Sequence, residues 1–295
     1  MRHGRRERLL LAAMLAPYLA GLALLVFLPA LVTLVLAFTE YDLLRAPRFV
    51  GLGNFRELLE DDVFAISVWN SLSYVAASVP LRIGAALGLG LLLHRRMRTA
   101  AAARTAVYAP TLVPEIAYAV LWLWLLNPLY GPVNLLLGAV GAPTPSWFTD
   151  PDAARWAVIL MGLFTIGEAF VIVLAVRATV PWELYELALV EGASPWQSMR
   201  WITLPLLAPA LALLLLRDTI LSFQASFVPA LVLTEGGPPP YSTTYLPLFV
   251  YRNAFEYLRY GYAAAATLVL FTITAVVVLV QWRLLRRFRL DAATV

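Results

Sequence analysis

The sequence predicts an all-α membrane protein that crosses the bilayer six times and forms a single domain over residues 1–295. Hydrophobic residues make up 61% of the chain and charged residues only 14%, whereas a soluble domain is nearer half apolar and a quarter charged. Several apolar runs reach the length of about twenty residues that a helix needs to cross a hydrocarbon core of about 30 Å. Because a chain in lipid must satisfy its backbone hydrogen bonds internally, these runs are expected to be helices.

The first apolar run follows an Arg-rich N-terminus and is about thirty residues long, which exceeds the apolar part of a signal peptide. We therefore expect this run to be retained as the first membrane helix. The six predicted membrane helices span approximately residues 9–38, 64–93, 105–126, 153–176, 206–231 and 260–285.

Arginine clusters beside the apolar runs predict the orientation, because basic residues favour the cytoplasmic side. Six crossings put three clusters on one side, so both termini are expected in the cytoplasm. A central segment, Pro181–Pro205, lies between the fourth and fifth runs and is cytoplasmic by the same count. The clusters are Arg2, Arg5, Arg6 and Arg8; Arg95, Arg96, Arg98 and Arg104; and Arg283, Arg286, Arg287 and Arg289.

The sequence offers little for catalysis, and we predict no catalytic, cofactor-binding or metal-binding residue. The chain has no cysteine, and its two histidines, His3 and His94, lie far apart in Arg-rich flanks. The net charge of +4 comes from membrane-flanking arginines, so no nucleic-acid partner is expected. An integral membrane enzyme would need clustered catalytic residues, and a secondary transporter usually shows internal repeats. The sequence shows neither feature, but both classes remain alternatives.

Ionisable residues within or near the predicted helices have two interpretations, because a charge at mid-bilayer costs at least about 2.5–3.5 kcal/mol. In the first, they form ion pairs between helices or extend to the membrane interface. In the second, they line a polar translocation path. The ionisable residues are Arg82, Glu115, Glu168, Arg217 and Asp218. Adding polar and aromatic residues of the fifth run that suit a sugar, the candidate path residues are Glu115, Glu168, Phe223, Gln224 and Phe227.

The central segment contains residues typical of the starts and ends of two short helices. Pro181 suits a first helical position, and Gly192 is expected to end this helix. Ser194 and Gln197 have the spacing of a capping box that starts a second helix, which is predicted to end before Pro205. The residues alone leave two interpretations equally open, an amphipathic helix lying on lipid and a docking surface for another protein.

A family resemblance distinguishes these two interpretations. Glu186-Leu187-Ala188, Gly192 and Ile202-Thr203-Leu204-Pro205 resemble the EAA motif of permease subunits of binding-protein-dependent ABC importers. Leu187 and Glu191 depart mildly from the motif. The resemblance favours the carbohydrate-type, maltose/glycerol-phosphate-like permeases, and it extends to Phe49–Phe55, Trp69–Leu72, Thr234–Pro238 and Tyr260–Ala265.

The resemblance implies a MetI-like fold in the bacterial inner membrane and a division of labour among several chains. The central segment would contact an ATPase dimer, which binds ATP and Mg²⁺. The ATPase must be a separate chain, because this chain has no GxxxxGK[ST] phosphate loop and is not expected to be an enzyme. The implied coupling residues are Glu183, Glu186, Ala188, Gly192, Ala193 and Pro205.

The other implied partners are a second, homologous permease, membrane lipid and an extracytoplasmic solute-binding protein. The binding protein would deliver a sugar or oligosaccharide, and the alternative cargo is glycerol phosphate or another polyol-like solute.

Overall fold

The structure is a computed structural model that describes residues 3–94 and 98–292. Three arginines of the orientation argument, Arg2, Arg95 and Arg96, lie outside the described residues. The chain divides into two compact units, one formed by Met1–Asp61 with Val250–Leu270 and the other by Asp62–Phe249 with Phe271–Val295. Almost all regular structure in the described residues is helical.

The smaller unit contains the first helical run and the loop that follows it. Its elements are α1 (His3–Leu22), a π-helical turn (Ala23–Phe27), α2 (Leu28–Leu36), β1 (Thr39–Glu40), β2 (Arg48–Phe49) and α3 (Gly53–Glu60). The strands pair antiparallel. The buried side-chain amide of Asn54 donates to the carbonyls of Ala37 and Thr39, at 2.9 Å each, and thereby ties α3 to the end of α2.

The larger unit is built around one long helix, α4 (Asp62–Leu92), which packs against α8, α9 and α12. Its buried face includes Tyr74, Val79 and Ala86. The remaining helices of the chain are α5 (Arg98–Tyr108), α6 (Glu115–Leu125), α7 (Pro132–Ala139), α8 (Pro151–Leu163), α9 (Gly167–Thr179), α10 (Glu183–Val190), α11 (Pro195–Ser198), α12 (Leu204–Ala225), α13 (Phe227–Val232), α14 (Leu246–Tyr251) and α15 (Tyr260–Ala292). The end of α14 and the beginning of α15 belong to the smaller unit.

Four helical segments are long and apolar enough to cross a membrane, namely Leu10–Leu36, Asp62–Leu92, Pro195–Val232 and Tyr260–Arg286. The third and fourth predicted helices are each broken into a bent pair. Thr99–Leu112 meets Glu115–Leu125 at 107°, and Pro151–Leu163 meets Gly167–Thr179 at 44°. The structure therefore has up to six spans, and the count of six stays a prediction.

The breaks differ from the continuous helices that we expected over 105–126 and 153–176. In the first, Val113 is extended with ψ 131° because the ring of Pro114 disfavours helical geometry in the preceding residue. In the second, both the N–H and the hydroxyl of Thr165 bond the carbonyl of Gly162, which ends α8 in a tight turn. Broken backbone at membrane depth is tolerated where it is buried in protein or lines a cavity.

Candidate functional site

The first half of the central segment ends as expected at Gly192. Its φ of +79° is left-handed, and the Ala193 N–H donates to the carbonyl of Ala188 at 2.8 Å. The Gly192 N–H donates to the carbonyl of Leu189 at 3.0 Å. These two bonds form a Schellman motif, which satisfies carbonyls that the helix end leaves free.

The start of this helix differs from the prediction by two residues. α10 begins at Glu183, and the N–H groups of Tyr185 and Glu186 donate to the carbonyl of Trp182. Pro181 therefore precedes the cap and is not the first helical residue. The side chain of the cap residue, Trp182, accepts no hydrogen bond from the backbone of α10. Its indole N–H instead donates to the Glu186 carboxylate at 2.9 Å.

The second half begins as predicted and does not end as predicted. Ser194 and Gln197 form the expected capping box. The helix then runs through a π-helical turn, Met199–Thr203, directly into α12, so that Pro205 stands inside a continuous helix. Pro205 has no N–H to donate to the preceding turn, and the π turn, in which the Leu204 N–H bonds the carbonyl of Met199, absorbs that irregularity.

Tyr185 connects α10 with the second half of the central segment and with α9. The Tyr185 hydroxyl lies 2.8 Å from the hydroxyl of buried Thr203, and the Arg177 guanidinium lies 4.5 Å from the centre of the Tyr185 ring. Beneath α10 is a cavity of about 460 Å³, whose lining includes two predicted coupling residues, Glu186 and Ala193. Glu183, Ala188, Gly192 and Pro205 are not among its lining residues.

A second feature, here called the membrane cavity, lies where the two broken helices meet α4. It has a volume of about 280 Å³. Two predicted path residues line it, Glu115 in the first turn of α6 and Glu168 in the first turn of α9. Its other polar or aromatic lining residues are Tyr74, Arg82, Thr111, Tyr118 and Thr165.

Two ion pairs connect α12 with the helices around this cavity. Arg82 and Asp218 are 3.1 Å apart with side chains 10% and 18% exposed, and Arg82 also donates to the Ser222 hydroxyl. Arg217 pairs with Glu168, and both of these side chains are about half exposed. The adjacent residues of α12 thus pair with different helices, because successive side chains of a helix point about 100° apart. Among the described residues, the Nε–H of Arg82 is buried without a hydrogen-bond partner.

The other predicted path residues do not line the membrane cavity. Phe223 is buried in the helix packing at 1% exposure, Gln224 is exposed and Phe227 is half-buried. The sequence reasoning missed Tyr74 and Thr165. A helical period could have found Tyr74, which lies two turns from Arg82 on the same helix. It could not have found Thr165, which lies in the break between α8 and α9.

Comparisons with known proteins agree with this architecture. Residues 81–290 match the family model described as binding-protein-dependent transport system inner membrane component. The chain is 33% identical to the probable ABC transporter permease protein YesP of Bacillus subtilis, over 95% of this chain and 91% of that protein. It is 30% identical to the trehalose/maltose transport system permease protein MalF of Thermococcus litoralis, over 97% and 96% of the two chains.

A solved structure shares the fold over nearly the whole length. It is the bacterial alginate ABC transporter in complex with an alginate pentasaccharide-bound periplasmic protein, with a TM-score of 0.85, 25% identity and coverage of 98% of both chains. The family resemblance and the MetI-like helical fold are therefore confirmed. This chain belongs to the family of binding-protein-dependent transport system inner membrane components, as a multi-pass, non-enzymatic ABC transporter permease of the inner membrane.

Proposed function

We propose that this chain is one of two permease subunits that form the path for a neutral sugar or oligosaccharide. The observation that carries the proposal is the membrane cavity, where two broken helices expose polar side chains at membrane depth. Discontinuous helices commonly form solute sites in transporters, because their free backbone groups and end dipoles point into the cavity. The named cargoes of relatives, such as trehalose/maltose, support a saccharide.

The cavity offers the chemistry that a hydroxylated solute needs. The Arg82 guanidinium is a donor for a hydroxyl oxygen, and the Glu115 carboxylate is an acceptor for a hydroxyl proton. Tyr74 and Tyr118 add aromatic surface against which a sugar ring can lie. A few polar groups among apolar and aromatic ones are typical of small-molecule sites.

The charge of the cavity favours a neutral cargo over glycerol phosphate. Arg82 is paired with Asp218, and Glu168 is paired with Arg217. Glu115 makes no ion pair within residues 3–94 and 98–292. The cavity therefore carries one uncompensated negative charge, which repels an anion in a low-dielectric setting.

The test is uptake by the complete complex, reconstituted into liposomes with its binding protein. Radiolabelled maltose, trehalose and lactose are compared with glycerol 3-phosphate. We expect uptake of a neutral sugar, and we expect Glu115→Gln to weaken it about tenfold, which corresponds to one charge-assisted hydrogen bond of about 1.4 kcal/mol. Glu60→Gln, an exposed acid on α3, is the matched control. Uptake of glycerol 3-phosphate alone would contradict a neutral cargo.

We further propose that the central segment couples this chain to a separate ATPase dimer through Glu183, Glu186, Ala188, Gly192, Ala193 and Pro205. Leu187, Leu189 and Val190 of α10 are 63–84% exposed, and neighbouring exposed apolar side chains outside the bilayer favour a docking surface. The cavity beneath α10 gives an incoming chain a recess beside Glu186.

Glu186→Lys tests the coupling proposal, because it reverses the charge beside that recess without touching an apolar helix. We expect loss of sugar uptake and of sugar-stimulated ATP hydrolysis in a complex that still assembles in the membrane. Glu60→Lys is the control. Normal uptake by a stably expressed Glu186→Lys protein would contradict the proposal.

The proposed second permease is supported by the first helical run. None of the apolar window in Leu10–Leu36 is buried within the described part of the chain. A span without packing partners of its own is a surface for lipid or for another helix. Gentle extraction and purification should yield this chain together with a second permease and an ATPase, and recovery of the chain alone would contradict the assembly.

A further inference from the structure

A separate cavity of about 240 Å³, here called the aromatic cavity, lies between the first half of α4, the start of α8 and the loop before α14. Two tryptophans on its lining, Trp69 and Trp156, are 69% and 54% exposed. Under the predicted topology this is the extracytoplasmic end of both helices. The cavity is therefore open to a solute that arrives from outside.

Polar groups line the same cavity. Arg155 donates to the carboxylate of Asp152 at 2.9 Å and to the carbonyl of Ser242 at 3.4 Å, which holds its guanidinium against the cavity. The side chains of Arg155 and Asp152 are 43% and 84% exposed, so both remain accessible to a hydroxylated molecule, the guanidinium as a donor and the carboxylate as an acceptor.

One side chain separates this cavity from the membrane cavity. Tyr74 lines both of them, and its ring lies 5.2 Å from that of buried Tyr245. Burial raises the pKa of Tyr245, so its hydroxyl stays protonated at neutral pH. The two cavities thus follow one another along α4, with Tyr74 where they meet.

We propose that the aromatic cavity is a carbohydrate subsite that receives one sugar ring before it passes Tyr74 into the membrane cavity. The inference rests on the proposed function and adds a second site to it. Trp69 and Trp156 supply flat apolar surface for the ring, while Arg155 and Asp152 bond its hydroxyls.

A belt of interfacial aromatic residues would account for the two tryptophans but not for the rest of the site. Interfacial tryptophans anchor a helix at the headgroup level and require no cavity. Here the tryptophans share a concave lining with an arginine–aspartate pair. Aromatic surface combined with a few convergent polar groups is the arrangement of a small-molecule site.

The absence of cysteine makes a protection experiment direct, because Ser73→Cys places one thiol of this chain in the aromatic cavity. The complete complex is reconstituted, and labelling by a membrane-impermeant maleimide is followed on this chain. The probe is whichever of maltose, trehalose and lactose the complex takes up, presented on its binding protein. At ten times the half-saturating concentration we expect labelling to slow about tenfold.

Two comparisons assign the protection to sugar in this cavity. Leu44→Cys, in an 85% exposed loop position, is expected to label equally with and without sugar. Trp69→Ala and Trp156→Ala are each expected to raise the protecting concentration about two- to tenfold, as the loss of one aromatic contact does. Trp124→Ala, a 51% exposed tryptophan outside the cavity, should leave that concentration unchanged.

Two results would overturn the subsite while leaving the proposed function intact. One is normal sugar uptake by the Ser73→Cys complex together with maleimide labelling that sugar does not slow. The other is equal protection by the sugar-free binding protein, which would make the cavity a protein contact. Failure to take up any of the three sugars is a different result, because it contradicts the proposed function and the subsite with it.

Discussion

Gly192 holds the turn of the central segment in a conformation that side chains oppose. Its φ is +79°, and no atom lies within 4 Å of the place that a Cβ would take. The constraint is therefore on the backbone and not on space. A non-glycine residue in the left-handed region costs roughly 1–2 kcal/mol, whereas asparagine is tolerated there more readily.

This constraint predicts different outcomes for three substitutions at Gly192. Gly192→Pro cannot adopt a positive φ and should abolish uptake, because the ring fixes φ near −65°. Gly192→Ala should retain partial activity, and Gly192→Asn should be nearest to the natural protein. Uptake and ATP hydrolysis by the reconstituted complex measure the order, and equal activity of the proline and asparagine variants would contradict it.

The Arg82–Asp218 pair is expected to contribute to stability in a way that the Arg217–Glu168 pair does not. Both Arg82 and Asp218 are largely buried, so Arg82→Met leaves an uncompensated charge and should destabilise the protein by about 3–5 kcal/mol. The double variant Arg82→Met, Asp218→Leu should recover most of that loss. Chemical unfolding of the purified protein measures both effects.

The more exposed pair supplies the matched control for this measurement. Arg217→Met leaves Glu168 at 58% side-chain exposure, and the loss should be about 0–1 kcal/mol. Equal destabilisation by Arg82→Met and Arg217→Met would show that burial does not determine the stability effect.

The sequence identified these charged positions but could not assign their partners. The cost of a charge in the membrane singles out Arg82, Glu168, Arg217 and Asp218 from the chain alone. Which helix each faces depends on rotations and breaks that appear only when the helices pack. Phe223 illustrates the same limit, because a polar-plus-aromatic stretch does not reveal that this ring is buried in the packing between helices.

Prolines produced the largest differences between the predicted and observed helices. We expected the second helix of the central segment to end before Pro205, yet Pro205 stands inside a continuous helix because the π turn Met199–Thr203 accommodates it. Pro114 has the opposite effect and bends a predicted span by 107°. A proline removes one helical hydrogen bond, and the surrounding packing determines whether the helix bulges, bends or ends.

The π turn predicts how Pro205 affects the central segment. Pro205→Ala restores an N–H that can bond the carbonyl of Trp201, which favours regular α-helix over the one-residue bulge. The π turn contains one more residue than a regular α-helical turn. Conversion to regular α-helix therefore rotates the segment before the turn by about 100° relative to α12. We therefore expect Pro205→Ala to uncouple ATP hydrolysis from uptake.

A spin-label distance checks the structural cause. Labels at Leu189→Cys in α10 and Leu213→Cys in α12 should change their separation by several ångströms in Pro205→Ala, on the scale of a helix radius plus side chain of about 5 Å. Pro209→Ala, also within α12 but not next to the π turn, is the control. An unchanged distance in Pro205→Ala would contradict the bulge mechanism.

The arrangement of the whole chain in the membrane depends on the two bent pairs. Four segments are long and apolar enough to be unbroken spans, and the count of six requires that both bent pairs, Thr99–Leu112 with Glu115–Leu125 and Pro151–Leu163 with Gly167–Thr179, also cross the bilayer. Composition and length predict the helical membrane class without the structure, because they need no knowledge of packing. They do not distinguish a bent crossing from a loop that returns to the side where it began.

Single cysteines decide between these two arrangements, because the natural chain contains none. Leu129→Cys lies in the connection after the bent pair and is 87% exposed. If the pair crosses, a membrane-impermeant thiol reagent should label it in intact cells, because the next connection is then extracytoplasmic. If the pair returns, labelling should require permeabilised cells.

Two control positions have the same location in both arrangements. Leu44→Cys should label in intact cells, and Ser194→Cys in the central segment should label only after permeabilisation, whether the chain has four spans or six. The aromatic cavity depends on the outcome, since α8 must begin outside for Trp156 to meet an incoming sugar. Inaccessible Leu129→Cys with both controls as expected would therefore contradict the six-span topology and the extracytoplasmic subsite together.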